Sequence, residues 1–486
     1  MSNLASQDNF ALRSNGIYDL TPEIFDDGVL ISNMFCDFYH LSKEDFFKFI
    51  KGDFSLLKES LKKDLSEKRF IYDSKNEFID SSIEVYRKLK GYQFVGTVLH
   101  IFVLTLDCNL MCTYCQATAG KKNCTKEMSF DVADSCVSRA FETLSDFIEV
   151  EFQGGEPLLN FPILKYIVEK SNKIAKQTNK SVSFSLVTNL SLLTQEIAEY
   201  LASNNINVSI SLDGPKDLHD FNRPHTQPNR SNFDDIINNV RTLRNFYSTS
   251  RGQISAILTS TQSSLSRIDE IIDIYDYLDL DSISVKPISQ FGMANQNWDV
   301  VGYTPTQFGA YYFEFLEKIL ARNIAKESNI VEYHARMFSQ KIFKKKSINH
   351  MEFRSPCGAA IGQITYNWDG EAYTCDEGRM LAVEGDNAFS LGSVLDHSYD
   401  TMMNNDKVRA IANASILESL PDCSYCVYQP LCGVCPVYNY SKYGDLYRSV
   451  SNDYFCQMRK VTFESYFKIL LKGSSEQKTM LIGWGD

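Results

Sequence analysis

The sequence predicts an α/β protein built around a parallel sheet, and three observations support this fold class. Strand patterns alternate with helical patterns six times between residues 98 and about 290. Hydrophobic residues make up 44% of the 486 residues, enough for a packed core. Ten of the 13 cysteines fall in two clusters, and one cluster directly follows the first predicted strand. A complete eight-fold barrel would need two more repeats, so we expect a partial (β/α)6 barrel.

The six predicted strands and the helices between them lie within residues 96–300. Right-handed crossovers are expected to place each helix against the sheet, giving a partial barrel or a doubly wound sheet. Active sites of such folds lie at the carboxyl ends of the strands. The predicted strands are 99–106, 147–153, 182–189, 207–214, 253–260 and 282–288, and the predicted helices are 128–146, 161–177, 194–203, 231–246 and 265–278.

Residues 1–95 are predicted to form a separate small module. The sequence GVLISN (28–33) has a strand pattern, and RFIYD (69–73) is a candidate second strand. Between them, Ser42 is a candidate N-cap for one helix, and the segment 55–68 repeats leucines with a helical period. Strand, two helices and strand suit a small α+β, winged-helix-like module. The alternative is an extension that packs on the main domain.

The rest of the chain divides into three predicted parts. Residues 301–349 contain two helical patterns and are expected to form a connector. Residues 350–472 hold the second cysteine cluster and are expected to form a domain of their own. Residues 473–486 are predicted to be a C-terminal tail.

Charge and hydropathy argue against several classes of function. Lys and Arg total 49 and Asp and Glu total 61, so the net charge of −12 gives no general attraction for nucleic acid. The N-terminus lacks a basic region followed by an apolar run, which argues against a signal peptide. No window reaches about 18 uninterrupted apolar residues, the length of a transmembrane helix. We therefore expect a cytoplasmic protein whose partners are neither nucleic acid nor membrane.

The cysteines indicate metal sites. In a reducing cytosol disulfides are disfavoured, so clustered cysteines are typical of metal ligands. The sequence CNLMCTYC places Cys108, Cys112 and Cys115 in the loop after the first strand. Iron and zinc sites usually have four ligands, so a fourth must come from elsewhere. One alternative is a zinc site completed by a distant residue. The isolated Cys36, Cys124 and Cys136 are expected to be ordinary thiols.

The C-x3-C-x2-C spacing, with Tyr114 before the last cysteine, resembles the radical S-adenosylmethionine (radical SAM) enzymes. The resemblance implies that Cys108, Cys112 and Cys115 hold a [4Fe-4S] cluster whose open iron binds S-adenosylmethionine. It also implies that one electron, from a donor such as flavodoxin or ferredoxin, cleaves the cosubstrate. The resulting 5'-deoxyadenosyl radical would then abstract a substrate hydrogen.

Other strand ends strengthen this resemblance. The motif GGEP (154–157) matches a family motif that contacts the methionyl amino group, which implies cofactor-binding roles for Gly154, Gly155 and Glu156. By the same resemblance, Tyr114, Asn189, Ser211 and Asp213 line the cosubstrate or substrate cavity. The run DLHDFNRP (217–224) resembles the H-D-x-x-R run of peptide-modifying members, so His219 and Arg223 are expected to border the site; the alternative is a surface cap.

The second cysteine cluster resembles the SPASM extension of radical enzymes, which holds two auxiliary clusters, probably [4Fe-4S]. The last spacing of the run is x2 instead of the usual x3. One cluster keeps only three evident thiolates, which leaves an open iron, a non-cysteine ligand or contact with the peptide as possibilities. A zinc site with spare thiols is another interpretation. Carried over by position, the ligands are Cys423, Cys426, Cys432 and Cys456 for one cluster and Cys357, Cys375 and Cys435 for the other.

Two longer segments of the sequence narrow the resemblance to one group of radical SAM enzymes. YTCDEGRML (373–381) and LESLPDCSYCVYQPLCGVCPVYNY (417–440) resemble the His-Xaa-Ser system radical SAM maturases. This implies oxidoreductase chemistry on a ribosomally synthesised precursor peptide, with the N-terminal module capturing a leader by strand addition. Asp376 matches a catalytic base of sulfatase-maturing enzymes; the alternative is a carboxylate that only accepts backbone hydrogen bonds. The alternatives are a maturase that forms formylglycine, a non-catalytic iron–sulfur electron carrier and a zinc-stabilised peptide-binding scaffold.

Overall fold

The structure is a computed structural model that describes residues 21–72, 74–117, 126–248, 250–346, 352–447 and 453–486. Cys124 lies outside the described residues. None of the described helices is long and apolar enough to cross a membrane.

The N-terminal module is built on a three-stranded antiparallel sheet. Its strands are β1 (Thr21–Phe25), β2 (Gly28–Ser32) and β3 (Phe38–Leu41), in that order. The sequence predicted β2, but β1 and β3 were missed. Ser42 caps the first helix as expected, because its side chain accepts a hydrogen bond from the backbone N–H of Asp45. The module's helices are Lys43–Ile50, Glu59–Glu67 and Lys75–Lys90.

The strand predicted at 69–73 is wrong. Arg69 has a left-handed backbone (φ +61°), which ends the preceding helix. The N–H of Phe70 then bonds back to the carbonyl of Leu65. These two residues therefore form the C-terminal cap of a helix, and Phe70 is buried with Leu65 in the module's core. The module is thus α+β, but its sheet is formed by β1 to β3.

The main sheet confirms the α/β class. Its central strands are parallel and lie in chain order. The five predicted helices are present, with ends within about five residues of the predicted ones, and Lys216–Asn222 is an additional helix. The strands are β4 (Leu99–Val103), β5 (Phe147–Gln153), β6 (Ser181–Thr188), β7 (Asn207–Ser211), β8 (Ile254–Ser260) and β9 (Ser282–Pro287), and the helices are Phe130–Phe141, Phe161–Thr178, Gln195–Ser203, Lys216–Asn222, Asn232–Tyr247 and Ile268–Tyr277.

The sheet extends beyond the six predicted strands at both edges. β10 (Val331–Glu332) pairs in parallel with β9. At the other edge β11 (Gln363–Tyr366) pairs in parallel with β4, and β12 (Glu371–Tyr373) and β13 (Ser390–Ser393) follow as antiparallel strands. The cysteine-rich region therefore adds strands to the same sheet whose strand β4 leads into the cysteine loop.

The two faces of β5 to β9 differ in chemistry. One face carries buried apolar residues such as Val150 and Ile283, which pack in the large core cluster. The other carries mostly polar or charged residues, including Glu151 and Lys286, with Val187 and Ile257 among them. Glu151 and Lys286 act on each other electrostatically although three strands separate β5 from β9. At about 4.8 Å per strand spacing, this indicates that the sheet curls around its polar face.

The C-terminal segment, predicted to be a tail, is a packed helix. Leu481 is fully buried, and its carbonyl accepts a hydrogen bond from the Ser339 hydroxyl at 2.7 Å. The helices of this half of the chain are Gly292–Gln296, Trp298–Val301, Pro305–Ile324, Tyr333–Ser339, Asp376–Val383, Tyr399–Met403, Asp406–Ala414, Pro436–Tyr443, Tyr454–Lys472 and Ser475–Gly483, with a π-helical turn at Gln340–Lys344.

Candidate active site

The cysteine loop follows β4 and is fixed by backbone hydrogen bonds on two sides. On one side, the Met111 and Thr113 N–H groups donate to the carbonyls of Pro224 and Asn222, at 2.8 and 2.9 Å. On the other side, the Met293 N–H donates to the carbonyl of Cys115 at 2.9 Å. These bonds hold the three cysteines at the carboxyl end of the sheet.

Gly292 is required for the second of these attachments. Its φ is +54°, and a Cβ there would lie 2.6 Å from the Cys115 carbonyl oxygen and 2.5 Å from that of Gln116. A larger residue would therefore push the Gly292–Gln296 helix away from the cysteine loop. Nothing in the sequence pattern pointed to this glycine, because its role depends on contact between distant segments.

A buried cluster of Tyr114, Asp213 and Arg223 lies under the loop. Arg223 donates to both carboxylate oxygens of Asp213, at 3.1 and 3.2 Å, and its guanidinium lies 5.2 Å from the centre of the Tyr114 ring. The Tyr114 hydroxyl donates to the same carboxylate. Burial opposes the charge of Arg223, but Asp213 outweighs it and holds the Arg223 pKa well above its ordinary value. The cluster therefore ties the cysteine loop to the end of β7.

This arrangement decides between the two interpretations of the DLHDFNRP run. His219 and Arg223 are both buried, so the run is not a surface cap. The Asp213 N–H donates to the His219 ring at 3.2 Å, and burial lowers the His219 pKa to about 4. His219 is therefore neutral at physiological pH, and it supports Asp213 from the side away from the loop.

Two of the loop thiols, those of Cys108 and Cys112, are protonated without a metal. Burial raises the pKa of Cys112 to about 12, although the nearby Arg223 guanidinium opposes the shift. Burial also raises the pKa of Cys108. Metal coordination deprotonates a thiol, so loading this site with iron should release protons. Three soft thiol donors at a fixed loop match the ligands that an iron–sulfur cluster needs.

The two glycines of GGEP allow the ends of β4 and β5 to pack closely. A Cβ at Gly154 (φ +144°) would lie 2.2 Å from the Thr105 carbonyl oxygen, and one at Gly155 would lie 2.1 Å from that of Asp107. The Gly155 N–H donates to the Thr105 carbonyl at 2.8 Å. These contacts explain why both positions need glycine for packing, independently of the predicted cofactor-binding role.

Glu156 is fully buried, and its carboxylate accepts three hydrogen bonds. The donors are the Thr188 hydroxyl at 2.7 Å, the Asn189 N–H at 2.8 Å and the Leu158 N–H at 3.0 Å. The side chain thus joins the ends of β5 and β6. Its predicted contact with the cosubstrate stays a prediction.

Burial also raises the pKa of Glu156 to about 7, and this shift makes a testable prediction. A carboxyl whose pKa is raised on folding adds stability below its unfolded pKa, near 4.5, and loses it as pH rises through about 7. Between pH 5 and 8, the metal-free wild type should lose about 3 kcal/mol more unfolding free energy than Glu156→Gln. The measurement is urea unfolding at each pH. Glu199→Gln, at an exposed position, should follow the wild type; parallel curves for Glu156→Gln and the wild type would refute the assignment.

Asn189 and Ser211 also lie at strand ends near the loop. The Asn189 side-chain amide donates to the Asn109 side-chain oxygen at 2.9 Å and lies 3.9 Å from the Cys108 sulfur. Ser211 ends β7 on the polar face of the sheet and is half-buried. The structure therefore places Asn189 beside the cysteine loop. The cosubstrate contacts of both residues stay predictions.

The second cysteine cluster divides in space as its sequence positions suggested. Three thiols, from Cys357, Cys375 and Cys435, meet in one apolar cluster and influence one another electrostatically. The other four thiols form a second group, in which the pKa of Cys423, of Cys426 and of Cys432 is each raised by at least one other member. These four are Cys423, Cys426, Cys432 and Cys456.

The donor chemistry of both groups fits iron–sulfur clusters. Among the described residues, no three His, Cys, Asp or Glu side chains converge closely enough to hold a single metal ion. A four-iron cluster bonds each thiolate to a different iron, so its ligands need not meet at one point. Cluster binding by either group is a proposal.

Asp376 lies at the start of the Asp376–Val383 helix and is buried. Its carboxylate accepts a hydrogen bond from Arg379 Nε at 2.7 Å, so it already has a cationic partner. Its charge also influences the pKa of Glu151, so Asp376 lies on the side of the polar face. The catalytic role of Asp376 stays a prediction.

The polar face of the sheet was missed at the sequence level. Glu149 and Glu151 on β5 and Ser284 and Lys286 on β9 lie on this face, and Glu149 and Glu151 also influence the pKa of Tyr333. The signal was present as strict alternation in FIEVEFQ and SISVKPI. The alternation was overlooked because parallel strands usually appear in a sequence as continuous apolar runs, since helices cover both faces of their sheet.

Comparison with known proteins identifies the class. Residues 102–284 match the family described as Radical SAM superfamily. An uncharacterised protein of Methanocaldococcus jannaschii is 35% identical over 28% of this chain; the match spans 45% of that relative. A cysteine-type anaerobic sulfatase-maturating enzyme of Clostridium perfringens (strain 13 / Type A) is 23% identical over 76% of this chain and 96% of its own length.

Two solved structures share the fold over most of the chain. Native anSMEcpe with bound AdoMet has a TM-score of 0.64 at 20% identity and covers 77% of this chain and 98% of its own. Streptococcus suis SuiB bound to S-adenosylmethionine has a TM-score of 0.54 at 16% identity and covers 91% and 99%. Each protein has also been solved with a peptide, Kp18Cys for the former and the precursor peptide SuiA for the latter.

Residues 102–284 carry the radical SAM domain, and the parallel sheet and the cysteine loop agree with the S-adenosylmethionine and iron–sulfur chemistry of that family. Over most of its length the chain shares its fold with anSMEcpe and SuiB. The resemblance predicted from the cysteine motifs is confirmed at this level.

Proposed function

We propose that the enzyme modifies a ribosomally made peptide by removing a hydrogen atom from one of its residues. The cluster at Cys108, Cys112 and Cys115, with S-adenosylmethionine bound, supplies the radical for that step. The observation that carries the proposal is the polar inner face of the sheet, which leads to the cysteine loop. A polar chain in extended form can bind there, whereas an apolar substrate would leave these groups without partners.

The charges on the polar face support a peptide substrate. Glu149 and Glu151 lie on β5 and Lys286 lies on β9, so both a peptide amide and a charged side chain find complementary groups. Asp376 lies close to Glu151 and can take a proton from an oxidised residue. The structures of the two relatives with bound peptides agree with this class of substrate.

The remaining parts of the chain have supporting roles in this proposal. The two groups of cysteines in residues 350–472 hold auxiliary clusters that accept the electron left after C–H oxidation or contact the peptide. A flavodoxin or ferredoxin supplies electrons to the cluster in the cysteine loop. Among the residues that the structure describes, β1 is an edge strand of the sheet β1 to β3, and it can add one strand of a leader peptide.

A second candidate is the oxidation of Cys or Ser to formylglycine in another protein. It is favoured by the sulfatase-maturating relatives and by the influence of Asp376 on Glu151 of the polar face. The two candidates share the radical step and differ in the substrate and in the product, which is an aldehyde only in the second.

Anaerobic co-expression with the peptide encoded by a neighbouring small reading frame tests the proposal. We expect a product that has lost two hydrogens and does not react with hydroxylamine, because a cross-link or oxidation removes hydrogen without leaving an aldehyde. Mass spectrometry of the peptide measures both properties. Cys108→Ala should give unmodified peptide. A hydroxylamine adduct on a Cys or Ser position would favour formylglycine formation instead, and an unmodified peptide with the wild type would count against the peptide proposal.

A further inference from the structure

Lys341 is a lysine whose amine is buried without an acidic partner. It lies in the π-helical turn Gln340–Lys344 and is 7% exposed. Its ammonium donates to the backbone carbonyls of Phe353 and Leu431, the second at 3.4 Å. In the parts of the chain that the structure describes, no carboxylate oxygen lies within 4 Å of this ammonium. A cation buried in this way needs a negative charge nearby to offset the loss of its hydration.

Two neighbouring lysines do have such a partner. Lys90 lines the same pocket as Lys341 and forms an ion pair with Glu418 at 2.8 Å. Lys345 caps the same π-helical turn and forms an ion pair with Asp37 at 2.7 Å. Among these three lysines, Lys341 is therefore the one whose counter-charge has to come from another source.

The ammonium of Lys341 lies beside the second group of thiols. Leu431, whose carbonyl it binds, directly precedes Cys432 in the chain. Gly433, which follows Cys432, packs so closely on the other acceptor residue that its Cβ would lie 3.1 Å from the Phe353 backbone nitrogen. Both Phe353 and Cys432 belong to the surroundings of the large apolar core, where a low dielectric strengthens the interaction between charges. A negative charge held by Cys432 is therefore well placed to balance Lys341.

Lys341 carries its charge at neutral pH. Burial lowers its pKa to about 8. An amine is protonated below its pKa, so the ammonium form predominates at pH 7. The thiols that bind an iron–sulfur cluster are deprotonated, so a cluster at the second group would bring negative charge to this place.

We propose that the Lys341 ammonium is the counter-charge of one auxiliary cluster and raises its reduction potential, the cluster being that of Cys423, Cys426, Cys432 and Cys456. The inference rests on the cluster-binding part of the proposed function and not on the identity of the peptide. Reduction adds one negative charge to a cluster, and a nearby buried cation stabilises that charge. A higher reduction potential suits the acceptor of the electron that is left after C–H oxidation.

The test compares three variants of a parent protein that keeps only the auxiliary clusters. Lys341→Gln removes the charge but leaves an amide that can donate to a carbonyl, whereas Lys341→Arg keeps the charge. Lys345→Gln is the matched control, because its partner Asp37 retains an ion pair with Arg69 at 2.9 Å. The parent is the full chain with alanine at three positions, which are Cys108, Cys112 and Cys115.

Each protein is reconstituted anaerobically, and its iron content is measured first. The reduction potentials are then measured at pH 7 by following the electron paramagnetic resonance spectrum during a dithionite titration. One further variant of the parent shows which potential belongs to the second group, because it lacks the thiols of the first, namely Cys357, Cys375 and Cys435.

We expect about eight irons per chain in the parent, two clusters of four. In Lys341→Gln, the potential of the second group's cluster should fall by at least about 59 mV, a tenfold change in the equilibrium constant for one electron. The other potential should stay unchanged, and Lys341→Arg and Lys345→Gln should keep both. A loss of about four irons in Lys341→Gln that Lys341→Arg retains would support the same role, since the charge would then be needed to hold the cluster.

The proposal is overturned if Lys341→Gln leaves the second group's potential unchanged, or if Lys345→Gln lowers it as much. It is equally overturned if both potentials fall together, or if Lys341→Arg also loses about four irons. A parent without iron would refute cluster binding itself, and this inference with it, so the iron content separates the two failures. Catalysis is not measured, and the outcomes are therefore independent of the proposed reaction.

Discussion

Replacing Cys108, Cys112 and Cys115 together with alanine is expected to abolish reductive cleavage of S-adenosylmethionine. The loop thiols are the soft donors at the carboxyl end of the sheet, and the cosubstrate has no iron to bind without them. Iron content should fall from about twelve to about eight per chain, because the seven downstream cysteines are untouched. The measurements are 5'-deoxyadenosine formation with dithionite as reductant and iron analysis of the anaerobically reconstituted protein.

The matched control for this experiment is Cys136→Ala. Cys136 is fully buried in the Phe130–Phe141 helix, away from the cysteine loop, so its removal deletes a thiol without touching a proposed ligand. Cleavage and iron content should both stay close to the wild-type values. Turnover that survives in the triple variant would show that the cluster acting on S-adenosylmethionine is bound elsewhere.

Local sequence signals predicted the parts of the fold that depend on local chemistry. The helix after Ser231 is one example, since the Ser231 side chain accepts a hydrogen bond from the Asp234 N–H as its capping pattern indicated. The strand β5 is another, because its alternation and bounds at 147–153 could be read directly. The strands β11 to β13 were missed because each has only three or four residues, too few for a period to appear.

The candidate site could also be predicted only where local sequence signals were sufficient. Spacing singled out the cysteine loop, but the division of the downstream thiols into two groups came from the resemblance, since Cys432 and Cys435 are close in sequence and fall in different groups. Burial and pairing could not be predicted in this way. Nothing near Glu156 indicates that its carboxylate joins two strand ends, and nothing near Asp213 indicates that Arg223 is its partner. These roles are set by residues ten or more positions apart that meet only in the folded chain.

Substitution of Asp213 by asparagine should have the second large effect. The change leaves the Arg223 guanidinium buried with no counter-charge from residue 213, and breaking a buried pair in this way costs about 3–5 kcal/mol. Tyr114 also loses its charged partner, so the cysteine loop should lose its fixed position. A misplacement of about 1 Å at a reacting centre lowers rates about 10²-fold. Thermal unfolding of the metal-free protein and 5'-deoxyadenosine formation by the reconstituted enzyme measure the two effects.

A double-mutant cycle separates the ion pair from the rest of the site. Removing both charges, with Asp213→Leu and Arg223→Met, should destabilise the protein less than the sum of the two single changes, because no uncompensated charge stays buried. Asp217→Asn is the surface control: Asp217 pairs with Arg267 and its side chain is 72% exposed, so its loss should cost less than about 1 kcal/mol. Strictly additive single effects would mean that Asp213 and Arg223 contribute independently. In that case the pair would not be what holds Tyr114 and the cysteine loop against the end of β7.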